Sequence, residues 1–99
     1  MKKEISQAFK QLERYGFIVR NLQFYKAYGK GAVDLPDIVI IGKRCKGDIH
    51  FVEIKIGKDK LSRGQKIMKE YLEKTSNYYI ANESNYNDII EQIIRFNGS

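Results

Sequence analysis

The chain has 99 residues, with 18 Lys and Arg against 12 Asp and Glu, for a net charge of +6. That length predicts one domain with a modest core, which association with a second copy would supplement. One cysteine and one histidine exclude an intrachain disulfide framework and a Cys/His zinc centre; no apolar run approaches the roughly 20 residues of a membrane span, and none follows Lys2 and Lys3 to make a secretory leader, so an intracellular, cytoplasmic setting is expected.

From the amino terminus, Ile5, Ala8, Phe9, Leu12 and Tyr15 recur at helical spacing. They predict an amphipathic helix over residues 2–15, stopped by Gly16. Residues 17–22 read as a first strand, and 26–36, with Gly29, Gly31 and Pro36, as a loop. Pro36 keeps Leu35 extended and has no N–H to give to a ladder, which suits a strand start. Two β-branched runs follow, residues 37–41 and 49–56, joined by a Gly-containing basic turn that predicts a hairpin. Ser62 with Gln65 three positions on is a capping-box pattern, opening a helix over about 63–74. Its expected buried face is Ile67, Met68, Tyr71 and Leu72. Residues 78–81 read as a fourth strand, and 87–96 as a last helix carrying Ile89, Ile90, Ile93 and Ile94. The order is α-β-β-β-α-β-α, an α/β (α+β) fold with a mixed central sheet flanked by helices.

The chemistry concentrates on the hairpin. Alternation along a strand puts Glu53 and Lys55 on one face and Val52, Ile54 and Ile56 on the other. Asp37 opens the neighbouring run, so pairing of the two strands brings two carboxylates and an ammonium to one point. These are the parts needed to hold a divalent cation and set a water against a phosphodiester. The plainer reading of Glu53 and Lys55 is an exposed ion pair, contributing at most about 1 kcal/mol. Gln65 likewise has a purely structural role available as the third residue of the capped helix. Asp34 reads as a turn residue or an outer group of the site, and Asp48 as a residue of the hairpin turn.

Pro36-Asp37 and Glu53-Ile54-Lys55 resemble the active-site signature of the PD-(D/E)XK nuclease superfamily. With Leu61-Ser62-Arg63-Gly64-Gln65, Tyr78-Tyr79-Ile80-Ala81 and the short length, nearly the whole chain resembles the VRR-NUC (virus-type replication-repair nuclease) family, in its stand-alone phage or prophage form. The resemblance implies a restriction-endonuclease-like core and a Mg²⁺- or Mn²⁺-dependent endodeoxyribonuclease. It further implies a homodimer acting on branched DNA such as Holliday junctions or flaps. Asp37, Glu53, Lys55 and Gln65 would be catalytic, with Gln65 touching the substrate phosphate or the water. Asp37, Glu53 and the backbone carbonyl of Ile54 would hold the metal, with Glu4 of the first helix as a further candidate and Glu13 a weaker one. The positive charge favours a polyanion. Lys30, Lys58, Lys60 and Arg63 are the candidate contacts to DNA, and Tyr25 and Tyr28 candidate platforms for unpaired bases. The competing readings are a catalytically inactive DNA-binding module with the nuclease fold, and a partner-binding protein whose charged strands are incidental.

Overall fold

The computed structural model describes residues 1–23 and 34–98. Helix α1, Lys2–Lys10, buries Ile5 and Phe9 and passes into a 3₁₀ turn, Gln11–Tyr15, that buries Leu12. The expected helix over 2–15 therefore tightens at residue 11. Its end is a Schellman closure: Phe17 N–H donates to the Leu12 carbonyl, Gly16 N–H donates to that of Glu13, and Gly16 takes φ 92°. The positive φ is open to glycine at no steric cost. Tyr15 is left outside, 63% exposed, while Phe17 turns into the core.

The remaining elements are β1 (Ile18–Asn21), β2 (Ile38–Ile41), β3 (Ile49–Ile54), α2 (Arg63–Thr75), β4 (Asn77–Ala81) and α3 (Tyr86–Arg95). Among the described residues this is the expected order. The fold is α+β; the described residues form three helices and a four-stranded mixed sheet ordered β1-β2-β3-β4. The first two pairings are antiparallel and β3 pairs β4 in parallel. A parallel neighbour requires a crossover, and α2 supplies it.

The register sorts every strand residue onto one of two faces. Val19, Ile40 and His50 align across the sheet, as do Ile38, Val52 and Tyr79. That face carries the core: Val19, Ile38, Ile40, Val52, Ile54 and Ala81 bury against Ile5, Phe9 and Leu12 from the amino-terminal helix and turn, and Ile89 and Ile93 from α3. The other face carries Ile18, Ile41 and Ile49, then Arg20, Val39, Phe51 and Tyr78, then Glu53 and Ile80. Helix α2 lies on this second face.

The rotation of α2 differs from expectation. Met68 and Leu72 are half-buried, but Ile67 is 49% and Tyr71 68% exposed. The amino-terminal cap fixes this. Gln65 is buried and aimed at the sheet, and at 100° per residue positions 68, 69 and 72 follow it onto the strands. Residues 67 and 71 then sit well over a quarter-turn away from that face.

The hairpin turn closes the far end of the sheet. Asp48 is buried, and its carboxylate packs on the Cα of Gly42, where a side chain would strike it. Asp48 is thus a core anion and more than a turn residue. Arg44 grips both its oxygens, Nε and Nη2 donating at 2.9 Å each, and also donates to the Ile93 and Ile94 carbonyls at the end of α3. No helix among the described residues is long and apolar enough to cross a membrane.

Candidate functional site

Asp37 and Glu53 stand side by side. The ladder ends where Ile38 pairs with Val52; Asp37 lies one residue beyond it, and its N–H donates to the Val52 carbonyl at 3.0 Å, beside Glu53 in the chain. Both side chains are buried, Asp37 at 2% and Glu53 at 1% exposure. The Asp37 carbonyl accepts from Leu22 N–H at 2.7 Å, so the residue is clamped between the neighbouring chains on both sides. Its carboxylate Oδ2 accepts from Ile54 N–H at 2.7 Å. Past Asp37 comes Pro36, which has no N–H; the carboxylate thus satisfies a strand donor that the ladder no longer reaches.

Ile54 is the third expected contributor. Lys55 N–H donates to Ala81 on the β4 side, so the Ile54 N–H and C=O point to the β2 side, where the N–H meets Asp37. Its side chain is fully buried in the core. Lys55 returns to the face of Glu53, with Nζ 3.7 Å from Glu53 Oε1 and the side chain 16% exposed.

Gln65 joins the site through its cap. Its Nε2 donates to Glu53 Oε1 at 3.1 Å, and its Oε1 accepts from Ser62 N–H at 2.9 Å. Gln65 N–H in turn donates to Ser62 Oγ at 3.1 Å, completing the capping box. Of the two roles open to Gln65, the capping role is realised by its amide oxygen and backbone N–H. The amide nitrogen meets the carboxylate in place of a phosphate or water, which makes Gln65 a positioning residue for Glu53.

Two further residues belong here. The Asp34 carboxylate lies against the Cα of Gly64, in the first turn of α2, where a negative charge meets the positive end of the helix. Asp34 thus ties the approach to Asp37 to the helix that carries Gln65. Tyr78, on the same face two positions before Ile80, the partner of Glu53, has its hydroxyl pushed well above the ordinary range by burial and then by the Glu53 and Asp37 carboxylates. It stays a neutral donor beside the acids. The tandem tyrosines of β4 mark a strand in the sequence, and only the pairing with β3 tells which of them faces the site.

Glu4 is not brought to this place. Its side chain is 69% exposed and pairs with the amino terminus at 2.7 Å, and α1 packs on the opposite face of the sheet. Glu13 is also exposed, 3.9 Å from Lys10. Lys58, Lys60 and Arg63 are exposed along the β3–α2 connection. Lys30, Tyr25 and Tyr28 lie outside the described residues.

No group of three or more His, Cys, Asp or Glu side chains suited to a metal gathers among the described residues. A hydrated Mg²⁺ needs fewer, because it keeps waters and takes substrate phosphate oxygens. The donors that converge, two carboxylates and the Ile54 carbonyl, are hard oxygens of the kind Mg²⁺ and Mn²⁺ prefer. Two acids buried side by side also call for more positive charge than one lysine brings. The residues present fit the ion.

The close approach at Gly64 gives a sharp expectation. Gly to Ala inside a helix gains up to about 1 kcal/mol, whereas forcing a carbon into a filled space costs about 1–3 kcal/mol. The added carbon would meet the Asp34 carboxylate well inside contact distance, so Gly64→Ala should lower the melting temperature. Gly64→Ala combined with Asp34→Ala should recover the loss. Thermal denaturation of the three variants checks this; a stabilised single variant would place Asp34 elsewhere.

Compared with protein-family models, with curated proteins and with solved structures, the chain matches none.

Proposed function

We propose that this protein is a Mg²⁺- or Mn²⁺-dependent endodeoxyribonuclease of the PD-(D/E)XK type, with a restriction-endonuclease-like core and a resemblance to the VRR-NUC family. The carrying observation is the buried carboxylates of Asp37 and Glu53, Asp37 bonded to the residues on either side of Glu53, with Lys55 and Gln65 both on Glu53. A structural ion pair would need one acid and one base at the surface; here two acids are held together inside, where a bound cation would offset part of the cost of burying them.

Asp37, Glu53 and the Ile54 carbonyl would hold the ion. When bound, it supplies charge neutralisation at the phosphodiester and orientation of the attacking water. Lys55, at the partly open rim, stabilises negative charge developing on the phosphoryl oxygens. Gln65 keeps Glu53 in place, and Tyr78 offers a hydroxyl donor beside the acids. Lys58, Lys60 and Arg63 draw the phosphate backbone towards the site. The substrate is branched or structured DNA, and a two-fold dimer places two such sites for paired cuts.

One observation favours the second reading, an inactive DNA-binding module with this fold. Asp37 Oδ2 accepts Ile54 N–H and both ends of the Gln65 amide are engaged, an arrangement that also serves a purely structural site. Incubation with labelled linear duplex, single strand, flap and four-way junction, in Mg²⁺, in Mn²⁺ and in chelator, separates the two. Metal-dependent cutting supports the nuclease; tight binding of a branched substrate with no cutting in either metal supports the binding module. The dimer is checked by mass in solution, where 11.6 kDa is the single chain.

A further inference from the structure

The β3–α2 connection folds around a cavity of about 380 Å³ that begins where the carboxylate pair ends. Lys55, Lys60 and Lys66 line it together with Leu61, Ile80 and Asn82. Two contacts join it to the site. Lys55 borders the cavity and lies 3.7 Å from Glu53, and Ile80, its wall, is the register partner of Glu53. Asp59 also borders it and Glu83 accepts from Gly57 N–H on its lining, while Lys55 is held by Glu53, so Lys60 and Lys66 are the ammoniums the cavity offers.

This chemistry is of two kinds side by side. Leu61 and Ile80 offer an apolar surface for a flat ring. Lys60 and Lys66 offer ammoniums, and neither forms an ion pair among the described residues. Asn82 completes the polar part. Its Oδ1 accepts from Ser84 N–H and Asn85 N–H, at 2.8 and 2.9 Å, so its amide nitrogen is the end left to donate. An apolar wall with donors and cations at its rim matches a nucleotide, a planar base joined to a phosphate. The volume lies at the lower end of small-ligand sites, about 300–1,000 Å³, and suits one unit of a strand.

We infer that this cavity seats one unpaired nucleotide of the DNA strand, adjacent to the phosphodiester held at Asp37 and Glu53. The inference rests on the nuclease reading for the position of that phosphodiester. A paired base is locked in its stack and cannot enter a cavity without being extruded, at a cost of a few kcal/mol. The seat therefore selects strands already unpaired beside the scissile bond: a flap, a junction arm or a single strand. Lys60 and Lys66 hold the phosphates on either side of the seated base, and Leu61 meets its face.

The test is an abasic scan of a fluorescein-labelled flap and of its single strand. Each position near the branch is stripped of its base in turn, with binding measured by anisotropy in chelator and cleavage measured in Mg²⁺. The base face is buried against Leu61 and Ile80, so one position should weaken wild-type binding several-fold. Leu61→Ala should weaken the intact strand similarly, and stripping the base should then cost nothing further, the signature of two groups in contact. Lys60→Ala combined with Lys66→Ala, both exposed positions, should reduce the slope of log affinity against log salt by about 1.4 on single strands. This second measurement stands if Leu61→Ala does not fold. A flat abasic scan with cleavage intact overturns the seat alone. A base penalty abolished by Leu61→Ala, with no cleavage in any metal, overturns the nuclease and keeps the seat. A flat scan with an unchanged salt slope and no cleavage overturns both.

Discussion

Glu53→Gln should reduce metal-dependent DNA cleavage by at least about 10³-fold while leaving the protein without metal as stable as the wild type, or more so. The two halves come from the same geometry. Glu53 is 1% exposed, between the two residues bonded to Asp37, with Gln65 at 3.1 Å and Lys55 at 3.7 Å. Glutamine keeps the shape and an oxygen able to accept from Gln65, but removes the charge. A buried carboxylate beside a second one costs free energy on folding; against that stands the ion pair with Lys55, a side chain 16% exposed that can turn its ammonium to solvent once Glu53 is neutral. Losing the metal-borne charge stabilisation, by contrast, removes several kcal/mol from the transition state, each 1.36 kcal/mol being tenfold in rate.

A readout that needs no cleavage separates the metal from the chemistry. An ion that binds only the folded state stabilises it by about 2.7 kcal/mol at one hundred times its dissociation constant, which for a chain of this size raises the melting temperature by roughly 10 °C or more. Wild-type protein should show this rise with Mg²⁺ and Glu53→Gln should not. On the proposed nuclease reading, Lys55→Ala should keep it while losing most of the cleavage, because in that reading the lysine meets charge on the substrate and the carboxylates meet the ion. A Glu53→Gln protein that melts far lower, with no response to Mg²⁺ in the wild type, would make Glu53 a structural charge.

The strands were legible because their residues are. Ile38 to Ile41 and Ile49 to Ile54 are β-branched runs, and a proline before Asp37 sets where pairing begins, so the meeting of Asp37 with Glu53 follows from alternation and a hairpin. The capping box at Ser62 was legible for the same reason, a fixed spacing with a local cause. The rotation of α2 was not. Ile67 with Tyr71 and Met68 with Leu72 are both apolar pairs at helical spacing, and periodicity cannot choose between neighbouring stripes. The tether from Gln65 to Glu53 chooses, and it crosses 12 residues of sequence. Glu4 failed as a site residue because local spacing places it on a helix and says nothing of which side of the sheet that helix covers. The role of Gly64 depends on Asp34, a contact with no pattern of its own. His50 shares strand parity with Val52 and Ile54, and that alternation alone places it on the core face.

That histidine leads to the largest expected effect on stability. At the end of the sheet away from the carboxylate pair, Asp48 Oδ1 accepts from His50 Nε2 at 2.8 Å, and the neutral ring leaves Nδ1 to accept from the Tyr79 hydroxyl at 3.1 Å. Phe96 packs edge-on to the ring at 5.0 Å, and Arg44 lies over Phe17 at 4.6 Å while it holds Asp48 and the last carbonyls of α3. One carboxylate thus anchors the turn, the core-facing histidine and, through Arg44, the carboxy-terminal helix. Asp48→Ala strands the partners of a buried charge and should cost about 3–5 kcal/mol, a fall in melting temperature of more than about 10 °C. Acid should act in two steps. Burial holds the His50 pKa below its ordinary 6.5, outweighing the Asp48 carboxylate, which raises it. The unfolded chain then takes up that proton first, so stability present above about pH 6.5 is lost as pH falls through the depressed value. The Arg44 hydrogen bonds, with His50 adding to them, hold the Asp48 carboxyl well below its ordinary 3.8, so its contribution is complete above about pH 4 and is lost as pH falls further. Denaturant melts from pH 8 to pH 3 should fall in both windows. His50→Phe should flatten the upper window and leave the lower one, because the ring position stays filled while the titrating group is gone. A profile of the wild type that is level between pH 7 and pH 5 would mean that His50 is not held neutral in the core.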